Sequence, residues 1–358
     1  MKIINIVTQM EAGGAQGAAI RISSALISDG YESETWFLYL KSPTYTDYNN
    51  TKIIFPSKPK NLSDNIKLLY TVFKELREAK PDVVVLYTHY ANIIGGFIAK
   101  LVGVKVIIAT HRSRIELYPK LLRLVDMLFG LFGVYTKKVF VSPTVKESFS
   151  YFPKSYFNNS DIIPNGITCI KADTSKTAIY SKYSLPENKK ILVSTGRLIH
   201  YKDQKFLIDL IPDLSEEIIL VLAGDGDDYS FLTNYVEENK ISERIYFLGE
   251  VPPNDISNIL SASDLFVFAS QTESFGFSVL EAMCVGLPVI CNDIPAMNYV
   301  VNNAGFIIDT KNYAKWIETI ENLLADKELL DEYSKRSYSQ AEEFTLNKMV
   351  EKYEKLFK

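Results

Sequence analysis

Two carboxylates, Glu273 and Glu281, are separated by seven intervening residues in the segment TESFGFSVLEAMC (272–284), bracketing Ser274, Phe275, Gly276 and Phe277. Carboxylates accept hydrogen bonds from hydroxyls, a glycine lets backbone approach a ligand closely, and the first turn of a helix presents unpaired N–H groups to an anion. Eight helical steps between the two glutamates span roughly 12 Å at 1.5 Å per residue. A phosphate near Gly276 would then lie between two hydroxyl-binding carboxylates. That layout suits a ribose diol, a diphosphate and a sugar diol in series, as in a nucleotide-sugar. The plain alternative is a pair of solvated glutamates on a helix surface.

Other residues carry matching chemistry. Arg197 and Lys202 follow the apolar run 190–195 and a glycine, Gly196, and two cations there suit a diphosphate through charge-assisted hydrogen bonds. Solvated surface charges are the competing reading. His111 stands just past the run 104–110, beyond the carboxyl end of an expected strand, where open α/β sheets bind ligands. It is placed either to hydrogen-bond a ligand or to pack as a structural histidine. Gly13-Gly14 within residues 11–16 forms a glycine-rich turn between strand and helix, without the full dinucleotide fingerprint. Asp225 and Asp227 form a D-x-D pair able to ligate a divalent metal, but their Gly-Asp-Gly-Asp setting reads first as a turn.

These residues fall at the ends of alternating strand and helix signals. Short apolar runs at 3–7, 82–87, 104–110, 139–142, 190–195, 218–223, 264–269 and 288–292 read as buried parallel strands separated by helical patterns. The 358 residues exceed one ordinary core, so two doubly wound α/β halves are expected. The polar stretch 171–190 reads as the linker between them. Residues 61–80 read as an amphipathic helix with Leu62, Ile66, Leu69, Val72, Phe73 and Leu76 on its apolar face. Cys169, Cys284 and Cys291 match no disulfide framework or zinc spacing, which favours a reducing compartment. The amino terminus lacks the apolar core of a signal peptide, and no apolar run reaches the ~20 residues of a transmembrane helix. Residues 1–160 carry 20 Lys+Arg against 12 Asp+Glu, whereas 161–358 carry 19 against 31. A basic first half points to an anionic partner. The segment 117–138, rich in leucine and phenylalanine with Lys120, Arg123, Lys137 and Lys138, is either an interfacial membrane helix or a core helix.

In order and spacing the segments resemble the retaining glycosyltransferases of family 4, which have the GT-B fold. The residues carrying the resemblance are Gly13-Gly14-Ala15-Gln16, His111, Pro164-Asn-Gly-Ile167, Gly196-Arg197-Leu198 with Lys202, Gly224-Asp225-Gly226, Phe247-Leu-Gly249, Glu273-Ser-Phe-Gly-Phe with Glu281-Ala-Met, and Gly286-Leu-Pro-Val-Ile290. The resemblance implies two Rossmann-like domains facing across a cleft. The first (1–167) would bind the acceptor, the second (168–341) the donor, and a terminal helix (342–358) would pack back on the first. Arg197 and Lys202, next to Gly196, would hold the diphosphate of a UDP- or GDP-sugar. Glu273 would contact the transferred sugar, and Glu281 the ribose. Backbone around Phe275, Gly276 and Phe277 would meet the departing phosphate, with Gly14 opposite. Glu250 and Val251 would recognise the base, and His111 would sit near sugar and acceptor. The implied reaction is retaining transfer without a metal or other cofactor, to a lipid-linked glycan of cell-surface polysaccharide or lipopolysaccharide. It would take place in the cytoplasm or at the cytoplasmic face of an anionic membrane, with no nucleic-acid partner. A nucleotide-sugar epimerase or hydrolase, and a non-catalytic partner subunit, remain alternatives on the same fold. The chain departs from the family at Pro295-Ala-Met-Asn-Tyr299, where a glycine pair and a glutamate are common, and Asn298 leaves that contact open.

Overall fold

The computed structural model describes residues 1–11 and 13–358, with Pro253 described by its backbone alone. Part of the turn expected at 11–16 therefore lies outside the described residues, at Ala12. The chain divides into two compact units: Met1–Gly166 with Leu346–Lys358, and Ile167–Thr345.

The first unit holds a seven-stranded parallel sheet of β1 (Lys2–Met10), β2 (Glu32–Leu40), β3 (Thr51–Ile53), β4 (Val83–Leu86), β5 (Val106–His111), β6 (Lys137–Phe140) and β7 (Ser160–Ile162), in the order β3-β2-β1-β4-β5-β6-β7. Alternation along β1 explains why both faces are covered. Ile3 and Val7 pack against Ala18, Ile22 and Leu26 of helix Gly14–Ser28 and against Met349, Val350 and Tyr353 of helix Leu346–Glu354. Ile4 and Ile6 pack on the opposite face against Leu68, Val72 and Leu76 of helix Leu62–Ala79 and Ile98 of helix His89–Leu101. Each such side chain taken fully out of water contributes about 1.5–3 kcal/mol.

The second unit has a six-stranded parallel sheet of β8 (Lys190–Thr195), β9 (Ile218–Ala223), β10 (Ile245–Gly249), β11 (Leu265–Phe268), β12 (Val289–Asn292) and β13 (Phe306–Ile308), ordered β10-β9-β8-β11-β12-β13. In both sheets the strand order reverses once, between β1 and β4 and between β8 and β11. Connections there leave on opposite sides, and the carboxyl ends of the strands splay into a crevice suited to ligands.

Three expectations change. The stretch 171–190 is not a linker: Ser175 caps helix Lys176–Lys182, and Lys182 and Tyr180 bond Asp255 and the Ala262 carbonyl within the second unit. Helix Leu62–Ala79 turns its Leu68-Val72-Leu76 row to the sheet, leaving Leu62, Ile66 and Leu69 exposed. Rows four residues apart share one face, so only one of the two apolar rows can face inward. Cys169 and Cys284, 115 residues apart, form a disulfide with Cα atoms 5.2 Å apart, while Cys291 is free and buried. Sequence spacing carries no sign of that pairing, because folding of the second unit brings the two residues together.

Candidate active site

In the second unit the turns after β8, β9 and β10 interlock through their backbones. The Gly196 N–H donates to Ala223 O, Gly224 N–H to Gly249 O, Leu198 N–H to Asp225 O and Asp228 N–H to Leu198 O, all at 2.8–3.0 Å. Such close lacing excludes side chains. A Cβ on Gly224, whose φ is +148°, would stand 1.9 Å from the Gly196 carbonyl oxygen, and one on Gly226 would stand 2.2 Å from that of Leu198. Asp225 accepts from the Gly226 N–H at 2.7 Å, so its carboxylate serves the turn.

The laced turns wall a cavity of about 500 Å³ at the carboxyl ends of β8, β9 and β10, lined among others by Gly196, Arg197, Glu250, Val251, Ser278 and Glu281. Five residues expected from the sequence to hold the donor, Gly196, Arg197, Glu250, Val251 and Glu281, thus share one cavity. Arg197 is held by its neighbours: its carbonyl accepts from Gln204 Nε2 at 2.9 Å, and its guanidinium lies 3.4 Å from the Tyr201 hydroxyl. Thr195, the last residue of β8, also lines the cavity. Its hydroxyl is buried and has no hydrogen-bond partner among the described residues. A lone strand-end threonine gives no signal in the sequence, and its unused hydroxyl shows only in the folded chain.

Lys202 and Glu273 meet at the switch point. Lys202 ends a short 3-10 turn after β8, Glu273 follows β11, and the two form an ion pair with side chains only 15% exposed. Lys202 Nζ also lies 5.0 Å over the Phe268 ring. The loops bearing the pair are tied together by the Gln271 N–H and the Ser270 hydroxyl, both donating to Tyr201 O. Glu273 is not helical: the helix begins at Phe277 and runs to Cys284, with Gly276 as a left-handed cap at φ +98°. The 12 Å helical rise expected between Glu273 and Glu281 therefore does not apply, because half of the segment is a turn. Gly276 is required there by its φ and by Met297, whose methyl carbon would lie 2.3 Å from a Cβ. Phe275 is buried and packs edge-on against Phe277 and Phe344. Asn298 bonds the Asp293 carboxylate at 2.8 Å.

Two expected residues belong to the first unit. Gly14 opens helix Gly14–Ser28 directly after β1. His111 closes β5, but its ring has no exposed surface. Nε2 lies 3.1 Å from the Tyr156 hydroxyl, which donates to Asp126 at 2.6 Å, and Asp126 also accepts from Tyr135. The Tyr156 proton is committed to Asp126, so the imidazole carries its proton on Nε2 and donates. Phe140 and Phe149 enclose the ring. Burial lowers the His111 pKa against the opposing pull of Asp126, and the ring is neutral. In this arrangement the side chain offers no face to a sugar, because the Tyr156 and Tyr118 hydroxyls meet its two nitrogens and two phenyl rings cover it. Arg112 next to it bonds Asn165 and the Tyr353 hydroxyl and stacks 4.7 Å over Tyr87, pinning the end of β5 to helix Leu346–Glu354.

Residues 175–340 match the family model described as glycosyl transferases group 1. The chain is 28% identical over 313 residues to the UDP-Gal:alpha-D-GlcNAc-diphosphoundecaprenol alpha-1,3-galactosyltransferase of Escherichia coli, covering 81% of this chain and 79% of that protein. It is 25% identical over 364 residues to the O-antigen biosynthesis glycosyltransferase WclY of Escherichia coli, covering 100% and 98%. HepE of Anabaena, solved in complex with UDP and glucose, superposes with a TM-score of 0.84 at 17% identity over 99% of this chain and 98% of that one. That likeness shows a shared fold, the α/β GT-B fold expected from the sequence.

Proposed function

We propose that the chain is a group 1 glycosyltransferase of the family 4 type, moving a sugar with retention from a nucleotide-diphosphate donor to a glycan hydroxyl. The cavity at the ends of β8, β9 and β10 carries this reading, since Arg197, Glu250, Val251 and Glu281 line it and Lys202 and Glu273 pair on the loops after the neighbouring strands β8 and β11. Glu281 takes the ribose diol, backbone at Glu250 and Val251 takes the base of a UDP- or GDP-sugar, and Glu273 takes the transferred sugar. Arg197, Lys202 and the backbone at Gly196, Phe275, Gly276 and Phe277 hold the diphosphate. His111 acts as a positioning residue for the end of β5.

The reaction breaks the bond between the sugar C1 and the phosphate oxygen. The acceptor oxygen bonds to C1 on the same face and passes its proton to the departing phosphate. Charge grows on that phosphate, and cations and N–H groups already aimed there stabilise it without reorganising. With two cations present the reaction needs no metal, and a chelator leaves the rate unchanged.

The acceptor is a lipid-linked glycan of cell-surface polysaccharide or lipopolysaccharide assembly, met at the cytoplasmic face of a membrane. The acceptor named for the Escherichia coli galactosyltransferase supports this, as do exposed apolar side chains on adjacent helices: Leu62 and Ile66 on Leu62–Ala79, Phe97 and Leu101 on His89–Leu101, and Leu121 and Leu124 on Lys120–Leu131. Among the described residues no helix is long and apolar enough to cross a membrane. The test incubates the protein with a panel of nucleotide-sugars, with and without bacterial lipid extract, and follows nucleotide and product by mass spectrometry. Nucleotide release that depends on lipid is expected. Release or sugar isomerisation without lipid would establish a hydrolase or epimerase instead, and no turnover of any donor would leave a partner subunit.

A further inference from the structure

We propose that the Cys169–Cys284 bridge is a site of reversible thiol–disulfide exchange, opened by a dithiol and re-formed by a small-molecule disulfide, that sets how firmly the second unit holds its nucleotide. The inference rests on the reading of the cavity at the ends of β8, β9 and β10 as the donor site, and it adds a means of regulating that site.

The bridge joins a cavity-lining helix to a segment with no other fastening. Helix Phe277–Cys284 supplies Ser278 and Glu281 to the cavity. Cys284, its last residue, follows Glu281 by three positions and so lies one turn along the same side. A helix of eight residues is well short of the ~12–15 at which an isolated helix becomes even marginal, so its position depends on what it is tied to. Cys169 sits in the irregular segment 168–172. Before that segment the Ile167 N–H donates to the Phe344 carbonyl at 3.0 Å, and after it the Asp173 N–H donates to Asn258 Oδ1 at 3.0 Å. Between those two points, among the described residues, no hydrogen bond or ion pair holds the chain, and the disulfide is its one tie. Val279, Leu280 and Met283 are fully buried and keep the helix packed when the bridge opens. Reduction therefore loosens one wall of the cavity without unfolding the unit.

The two sulfurs differ in access, which fixes the order of the exchange. Cys169 is partly exposed between the exposed Thr168 and Ile170, whereas Cys284 is buried. A thiolate of the dithiol attacks the Cys169 sulfur, the S–S bond breaks, and the electron pair leaves with the Cys284 sulfur, which takes up a proton. The second thiol of the reductant then closes on its own mixed disulfide and frees Cys169 as a thiol. Two electrons and two protons pass to the chain, and the dithiol leaves as a disulfide. Oxidation by a small-molecule disulfide reverses these steps. Cys291 on β12 stays out of the exchange, because it is wholly buried and burial keeps its thiol protonated. On the acceptor reading the chain works at a cytoplasmic face, where disulfides that form are usually transient or redox-sensing.

The test uses the full chain, oxidised with glutathione disulfide or reduced with dithiothreitol. Alkylation after denaturation counts the thiols: Cys291 alone in the oxidised chain, and all three cysteines in the reduced one. Reduced protein is expected to bind UDP or GDP about fivefold more weakly or worse by calorimetry, the lower end of ordinary coupling between two sites. By reciprocity, saturating nucleotide should shift the ratio of reduced to oxidised dithiothreitol at half-reduction by the same factor. Cys169→Ser and Cys284→Ser should each bind like reduced wild type and ignore dithiothreitol. Amide hydrogen exchange over residues 277–284 should quicken on reduction. Affinity that is equal or higher after reduction, variants that bind as oxidised wild type does, or three alkylated thiols after glutathione disulfide would overturn the switch. A chain that binds neither nucleotide in either form, yet exchanges faster over 277–284 when reduced, would support the switch and count against the donor reading instead. Without that change in exchange the switch falls as well.

Discussion

Arg197 and the Lys202–Glu273 pair do different work although all three carry charge near one cavity. Arg197 is exposed, so Arg197→Ala should leave stability nearly unchanged while lowering kcat about 10²–10³-fold, the usual cost of removing one donor to a developing charge. Steady-state kinetics beside a thermal melt checks this, and wild-type turnover in the variant would remove Arg197 from the reaction. Lys202 and Glu273 are largely withdrawn from water, and deleting one strands the other, at about 3–5 kcal/mol for a buried pair. Urea unfolding of Lys202→Met, Glu273→Gln and the double variant should show the double losing less than the sum of the singles. Histidine supplies the pH dependence. His111 and His89 have folded pKa values below the ordinary value near 6.5, burial being the main cause, with Asp126 opposing and, for His111, Lys138 adding to the drop. Below pH about 6.5 the unfolded chain binds more protons than the folded one, so stability falls as pH falls. Melting temperature should drop between pH 7.5 and 5.5, and His111→Phe, which keeps an aromatic ring beside Phe140 and Phe149, should flatten part of that slope.

The turns after β8, β9 and β10 act as one element, since each is bonded to the next through backbone. Gly224→Ala should therefore cost more than its strained φ, which alone accounts for about 1–3 kcal/mol, because the added Cβ strikes the Gly196 carbonyl 1.9 Å away. Gly30→Ala is the matched control: its φ is +86°, but a Cβ there meets nothing within 4 Å. Calorimetric binding of UDP or GDP should be lost in Gly224→Ala and retained in Gly30→Ala, with both less stable to urea than wild type. Equal behaviour of the two variants would mean that the lacing does not shape the cavity. The helix Phe277–Cys284 is similarly tied at both ends, by the Gly276 cap against Met297 and by the Cys169–Cys284 disulfide one turn beyond Glu281.

At the scale of the molecule, net charge and exposed apolar surface coincide in the first unit. Residues 1–160 hold an excess of eight positive charges, and helix Lys120–Leu131 buries fully only Asp126 while exposing Leu121, Leu124 and Leu128. Each Lys or Arg near an anionic surface adds about 1 kcal/mol of attraction, which salt screens within a Debye length. The protein should float with phosphatidylglycerol vesicles at low salt, less at 0.5 M salt, and Leu121→Asp with Leu124→Asp should abolish flotation. Recovery of all protein from the pellet fraction at low salt would rule out the membrane contact.

What the sequence determined by itself was local and periodic. Apolar runs bounded by glycines placed the strands, the order of motifs implied the α/β fold, and Gly196, Arg197, Glu250, Val251 and Glu281 were picked out before their shared cavity was visible. Gly196, Arg197, Glu250 and Val251 follow strand ends and Glu281 lies on the helix after β11, and chain order alone predicts such positions. Only the tertiary structure decided which distant residues meet. It paired Lys202 with Glu273 and Cys169 with Cys284, turned one of two apolar rows of helix Leu62–Ala79 away from the sheet, and enclosed His111 among Tyr156, Phe140 and Phe149. Periodicity marks a residue as apolar or a strand as ended. Whether its side chain then faces solvent, ligand or another side chain depends on neighbours that the chain supplies from tens of residues away.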